Sequence, residues 1–321
     1  MTVKTLFMLI LAVSQGFAEV RNDSLNMHLQ RGGNDLRNEN YEAAVTSFES
    51  ALGIDSLNLN ALRNLGFILA LRGDHKDAIR LWERADRHGI ANADVYNNLG
   101  VSYGTLGQTE KALNNYSFAM ELEQDNVEYM KNFATTALNA GLFEPAHLAM
   151  EEAVKLAPDN PEINYLLGNC HAGVGESVKA QRNYLKAIDL GYDNPELRFN
   201  YGMMLEAAGD MLGAEEQLGF ASNRAPENLD YRQRLGVFYM KTGVYTQSAK
   251  NFHENLERDS TYINSRIGLA IAFANLGQMD SAYAQLAWVK KSEPARAGEM
   301  MNLIKKAEDN RKRSDSSRSG N

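Results

Sequence analysis

Cys170 and His171 stand side by side, the residue types of a thiolate nucleophile and its general base. Consecutive residues of a helix point about 100° apart, so this pair does not form the hydrogen bond that activates a thiol. Cys170 is the only cysteine, which excludes an intramolecular disulfide and a cysteine-cluster zinc site. A lone cysteine within an apolar helix reads as a small core residue. The six histidines, His28, His75, His88, His147, His171 and His253, show no HExxH spacing and no carboxylate partner in register. There is no P-loop, and no segment reads as a strand that a GxGxxG turn would follow. The sequence thus predicts no catalytic residue, no metal ligand and no cofactor, and reads as a non-enzyme.

Binding chemistry is a different matter. Asn64, Asn98, Asn132 and Asn200 occupy one position of a recurring pattern, with Gln30, Leu166, Arg234 and Gly268 at the same place in other copies. An asparagine amide offers one acceptor and two donors, so a row of them can pair with a peptide backbone whatever its side chains. Such a row requires helices stacked in register.

The pattern supplies them. An alanine recurs as Ala44, Ala78, Ala112, Ala146, Ala180 and Ala214, then as Ser248 and Ala282, always 34 residues apart. A glycine before it recurs as Gly73, Gly107, Gly141, Gly175, Gly209, Gly243 and Gly277, with Glu39 in the first copy. A third column runs Gly32, Gly66, Gly100, Ala134, Gly168, Gly202, Gly236 and Ala270. In the second copy Leu62, Leu65, Gly66 and Leu69 share one face of a first helix. Gly73 suits the left-handed turn that ends it, and Ala78, Trp82 and Ala85 form one stripe of a second helix. A single pair is too small to bury its own face, so neighbours must stack into one continuous core.

Eight copies fit without insertion: 25–58, 59–92, 93–126, 127–160, 161–194, 195–228, 229–262 and 263–296. A capping helix is expected over 297–313, with Met300, Leu303, Ile304 and Ala307 on one side, and a disordered polar tail over 314–321.

The columns resemble the tetratricopeptide repeat across 25–296. The third copy shows it most fully, with Tyr96, Leu99, Gly100, Tyr103, Gly107, Ala112, Tyr116 and Ala119. The closing proline is present as Pro158, Pro226 and Pro294 but is Gln124 in the third copy. The resemblance implies an all-α solenoid whose first helices line a concave face, where protein or peptide partners commonly lie. On that face it points to Asn64, Asn98, Asn132 and Asn200, with Phe67, Lys131, Phe199 and Arg234 beside them. The row also resembles the asparagine ladder in the repeats of protein O-linked N-acetylglucosamine transferases. A row that only faces water is the alternative, and Leu166 interrupts it. The carboxylate clamp of chaperone-binding repeats is absent around Asn98, where Phe67 and Glu128 stand instead of cations.

The formal net charge is −8, and no helix carries the basic patch that a phosphate backbone requires, so nucleic acid is not an expected partner. Residues 1–18 read as a signal peptide: Lys4, an apolar run from Leu6 to Val13, then Gly16 and Ala18 at the spacing of a cleavage site. The run is shorter than the roughly 20 residues of a membrane span, and no cysteine follows for lipid attachment. A short leader, 19–24, precedes the repeats. The expected protein is a periplasmic or secreted, non-catalytic scaffold without integral membrane insertion. An accessory subunit of an envelope assembly or secretion complex, and a regulatory repeat module of a glycosyltransferase, are the alternatives.

Overall fold

The computed structural model describes the backbone of residues 3–319 and the side chains of 19–313. The side chains of the expected signal peptide, 1–18, and tail, 314–321, lie outside the described residues. Helices account for nearly the whole chain, and no strand occurs among the described residues. The first nine helices are α1 (Val3–Arg37), α2 (Tyr41–Ile54), α3 (Leu59–Leu71), α4 (His75–Arg87), α5 (Ala93–Thr105), α6 (Thr109–Leu122), α7 (Val127–Asn139), α8 (Phe143–Leu156) and α9 (Pro161–Gly173). Then follow α10 (Ser177–Asp189), α11 (Pro195–Ala208), α12 (Met211–Arg224), α13 (Leu229–Lys241), α14 (Tyr245–Arg258), α15 (Ile263–Asn275), α16 (Met279–Ser292) and α17 (Pro294–Ser319). They divide into two compact units, Met1–Val174 and Gly175–Asn321.

Local chemistry at the hairpin ends recurs with the period. Gly107 follows α5 at φ 72°, in the left-handed region where a Cβ is strained. Glu39, which replaces glycine in the first copy, adopts the same turn at φ 58°. A further column sits at the helix starts: Asn58, Asn92, Asn126, Asn160, Asn194 and Asn228 each cap a first helix by accepting a backbone N–H. Tyr262 takes this place before α15 and makes no such bond.

The glycine column has a packing cause. A Cβ on Gly66 would lie 2.5 Å from the Trp82 indole, and one on Gly100 would lie 2.6 Å from the Tyr116 ring. Gly32 and Gly236 stand in the same relation to Phe48 and Phe252. These four rings therefore lie directly against the backbone of their first helices. Where the column holds alanine, at Ala134 and Ala270, the residue in the ring's place is Met150 or Leu286, both fully buried. Ser248, the exception in the alanine column, is buried and donates to the Gly236 carbonyl at 2.9 Å. Its hydroxyl is thereby satisfied, as burial demands.

In the N-terminal unit α1/α2, α3/α4, α5/α6 and α7/α8 are antiparallel hairpins. Each second helix also packs on the next first helix, and successive first helices α1, α3, α5, α7 and α9 touch one another. Successive second helices make no comparable contact, so the stack curves towards its first helices. The C-terminal unit repeats this with α11/α12, α13/α14 and α15/α16. There α17 closes the core, burying Met300, Ile304 and Ala307 against α15 and α16.

Candidate functional site

The inner side of the N-terminal unit carries both a polar seam and an open strip. In the seam, the Arg63 guanidinium of α3 meets Asp94 of α5 at 2.8 Å, and the Tyr129 hydroxyl of α7 donates to the same carboxylate at 3.0 Å. The Asn132 amide donates to Asn97 Oδ1 at 2.9 Å. Lys131 pairs with Glu128 at 3.0 Å and also with Glu162 of α9. Burial works against its charge, but the hydrogen bonds to Glu162 and Glu128 outweigh that and raise its pKa. Desolvation and the bond to Asp94 likewise hold the Tyr129 phenol in its neutral form. These contacts tie α3 to α5, α5 to α7 and α7 to α9.

They also separate the sequence-selected residues. Lys131, expected on the open face, is buried at 9% exposure and spent on two carboxylates. Asn132 is bonded laterally, to Asn97 and not outward. Asn64 and Asn98 are half-buried and have no side-chain hydrogen bond among the described residues. Beside them Phe67 and Val101, at equivalent places on α3 and α5, are 40% and 41% exposed. Adjacent helices thus present one exposed apolar side chain and one unused amide each.

In the C-terminal unit Phe199 stacks on Tyr231 with ring centroids 4.7 Å apart. Arg234 meets Glu206 at 2.5 Å, and Lys241 reaches the same carboxylate at 2.9 Å. Asn200 also has interactions of its own. Arg234 is therefore a tie between α13 and α11, not a free cation.

Cys170 is buried, and desolvation pushes its thiol up to about 12, far from thiolate chemistry. The histidines need a correction. His147 Nε2 lies 3.5 Å from Glu151 and His253 Nε2 3.7 Å from Glu257, both one helical turn on, so two do have a carboxylate in register. The metalloprotease spacing did not reveal them, because it asks for a second histidine at that place. The His147 and His171 rings meet at 4.7 Å between centroids.

No helix among the described residues is long and apolar enough to cross a membrane. One tetratricopeptide repeat model matches residues 29–89 and 131–179, and a second matches 93–126. No curated protein matches this sequence. Among solved structures, a tetratricopeptide repeat protein from Parabacteroides merdae is 15% identical with a TM-score of 0.60, covering 78% of this chain and 99% of that one. The Pseudomonas aeruginosa pilF protein is 20% identical with a TM-score of 0.56, covering 66% of this chain and 96% of that one. A repeat protein from Cytophaga hutchinsonii, represented by its C-terminal part, is 15% identical with a TM-score of 0.55, covering 75% of this chain and 99% of that one. At these identities the likeness is one of fold. The hairpins, their glycine and alanine columns and these matches agree: the chain belongs to the tetratricopeptide repeat family.

Proposed function

We propose that this chain is an exported, non-catalytic scaffold that holds a protein or peptide partner on the inner face of its first helices. The observation that carries this reading is the strip of Asn64, Phe67, Asn98 and Val101, whose amides are unspent and whose apolar groups face solvent. Ties such as Arg63–Asp94 and Lys131–Glu162 support it by fixing the spacing of the helices, so the strip is held ready before a partner arrives. Export rests on the signal peptide expected over residues 1–18, and N-terminal sequencing of the mature protein is its test.

The face is tested by changing Asn64 and Asn98 to alanine together. A hydrogen bond contributes about 1 kcal/mol net, so losing two should weaken capture of a cross-linked native partner by roughly 2 kcal/mol. Thermal stability should stay within about 0.5 kcal/mol, because neither amide bonds within the fold. Asn114→Ala, at an exposed position on α6, is the control and should leave capture unchanged. Wild-type affinity in the double variant would remove the asparagines from the binding face.

A further inference from the structure

We infer that His147 and His171 hold one divalent ion of the zinc class between α8 and α9, with Glu176 as a carboxylate ligand. The site uses none of the residues of the Asn64–Val101 strip, so it stands whether or not that strip binds a partner. The repeat itself asks for no histidine at either place. The position of His171 is Leu69 in the second copy and Tyr103 in the third, and that of His147 is Ile79 and then Leu113. Packing is thus met by apolar or aromatic residues elsewhere, whereas here α8 and α9 set two imidazoles against each other.

The donor atoms are gathered. One ligand atom each from His147, His171 and Glu176 lies within 4.8 Å of the other two. Ligands about 2.1 Å from a tetrahedral ion stand about 3.4 Å apart, a closure that side-chain rotation supplies. Glu176 is carried by the turn that leaves α9, five residues after His171. Its carboxylate accepts from Lys179 Nζ at 2.9 and 3.0 Å. That pair is exposed, and such pairs contribute little, so a doubly charged cation displaces the lysine.

His147 gives the second reason. Its Nε2 is buried and has no hydrogen-bond partner. Glu151 stands 3.5 Å from it, outside hydrogen-bond geometry but at the spacing of two ligands on one ion. The contact between the two rings does not engage this nitrogen, and a buried polar atom left unbonded is costly. Coordination answers it, since a neutral imidazole nitrogen is the commonest metal donor. Glu151 is then the nearest group for a fourth position. Two imidazoles with carboxylates favour zinc, nickel or copper over magnesium and calcium, which take oxygen donors. Held this way, the ion clips the second helix of one copy to the first helix of the next.

The test titrates the full, untagged chain, first stripped with a chelator, with zinc chloride by calorimetry, and with magnesium chloride for comparison. One zinc ion per chain should bind and magnesium should not compete. Excess zinc should raise the Tm by several degrees, because the ion binds the folded form. His147→Gln and His171→Gln should each weaken zinc binding about tenfold or more, and Glu176→Gln by less. His253→Gln, which removes a ring with the same i, i+4 carboxylate neighbour, should change nothing. His147→Gln is the decisive variant, since the Nε2 it removes bonds nothing in the fold. No saturable zinc binding, wild-type affinity in His147→Gln, or an equal loss in His253→Gln would overturn the assignment.

Discussion

Replacing Trp82 with alanine is expected to lower stability by about 3–5 kcal/mol, the usual range for deleting a buried aromatic side chain. Trp82 is 1% exposed and packs among Leu62, Ala78, Ala85 and Leu99 of three successive helices. Its indole N–H also donates to the Arg63 carbonyl at 3.2 Å, so the variant leaves both a cavity and an unanswered acceptor. The stack transmits stability from neighbour to neighbour, so the loss should extend into both flanking hairpins. Urea unfolding followed by circular dichroism measures it. Leu148→Ala, on an outer position 65% exposed, should cost under about 0.5 kcal/mol. A comparable effect of the two changes would mean that the column of large residues is not the core of the stack.

Gly100→Ala should cost about 2–3 kcal/mol, in the range typical of overpacking. Its new Cβ would lie 2.6 Å from the Tyr116 ring, which is itself buried at 3% exposure and cannot tilt away. Pairing the change with Tyr116→Met recreates the Ala134–Met150 combination of the next hairpin. The methionine is unbranched and flexible enough to pass a methyl group. In a double-mutant cycle the two substitutions should therefore rescue one another by about 1 kcal/mol or more. Additive losses would show that glycine is kept here for another reason.

These two positions also show what the sequence carries on its face. The 34-residue columns reveal the hairpins because each column answers to a local constraint: a turn at Gly107, a close helix contact at Ala112, a ring on the backbone at Gly100. The coupling of column residue to ring, and the capping asparagines from Asn58 to Asn228, are written in the same spacing and can be read by asking what each position bonds or touches. The polar seam is of another kind. Arg63 and Asp94, or Lys131 and Glu162, are partners only because one first helix stacks on the next at a particular rotation. Periodicity selects the inner face but does not say which of its polar groups are already engaged. Lys131, Asn132 and Arg234 therefore look alike with Asn64 and Asn98 in the sequence, and the structure separates the two sets. The division at Val174 leaves no mark either, since the period runs through it without an insertion.

Gly268 illustrates the converse. In the sequence, glycine there is simply an interruption of the asparagine row. Its meaning depends on Phe252, which the fold brings beneath it from a neighbouring helix.

The central claim is that partners are held on the first helices and not on the outer helices. A photo-reactive phenylalanine analogue at Val101 and, in a separate variant, at Leu148 compares the two sides within one unit, both starting from exposed side chains. Irradiation in the native compartment should give a discrete adduct from position 101 and none from position 148, and the adduct should fade in the Asn64→Ala, Asn98→Ala background. An adduct formed equally at both positions, or only at 148, would contradict the account.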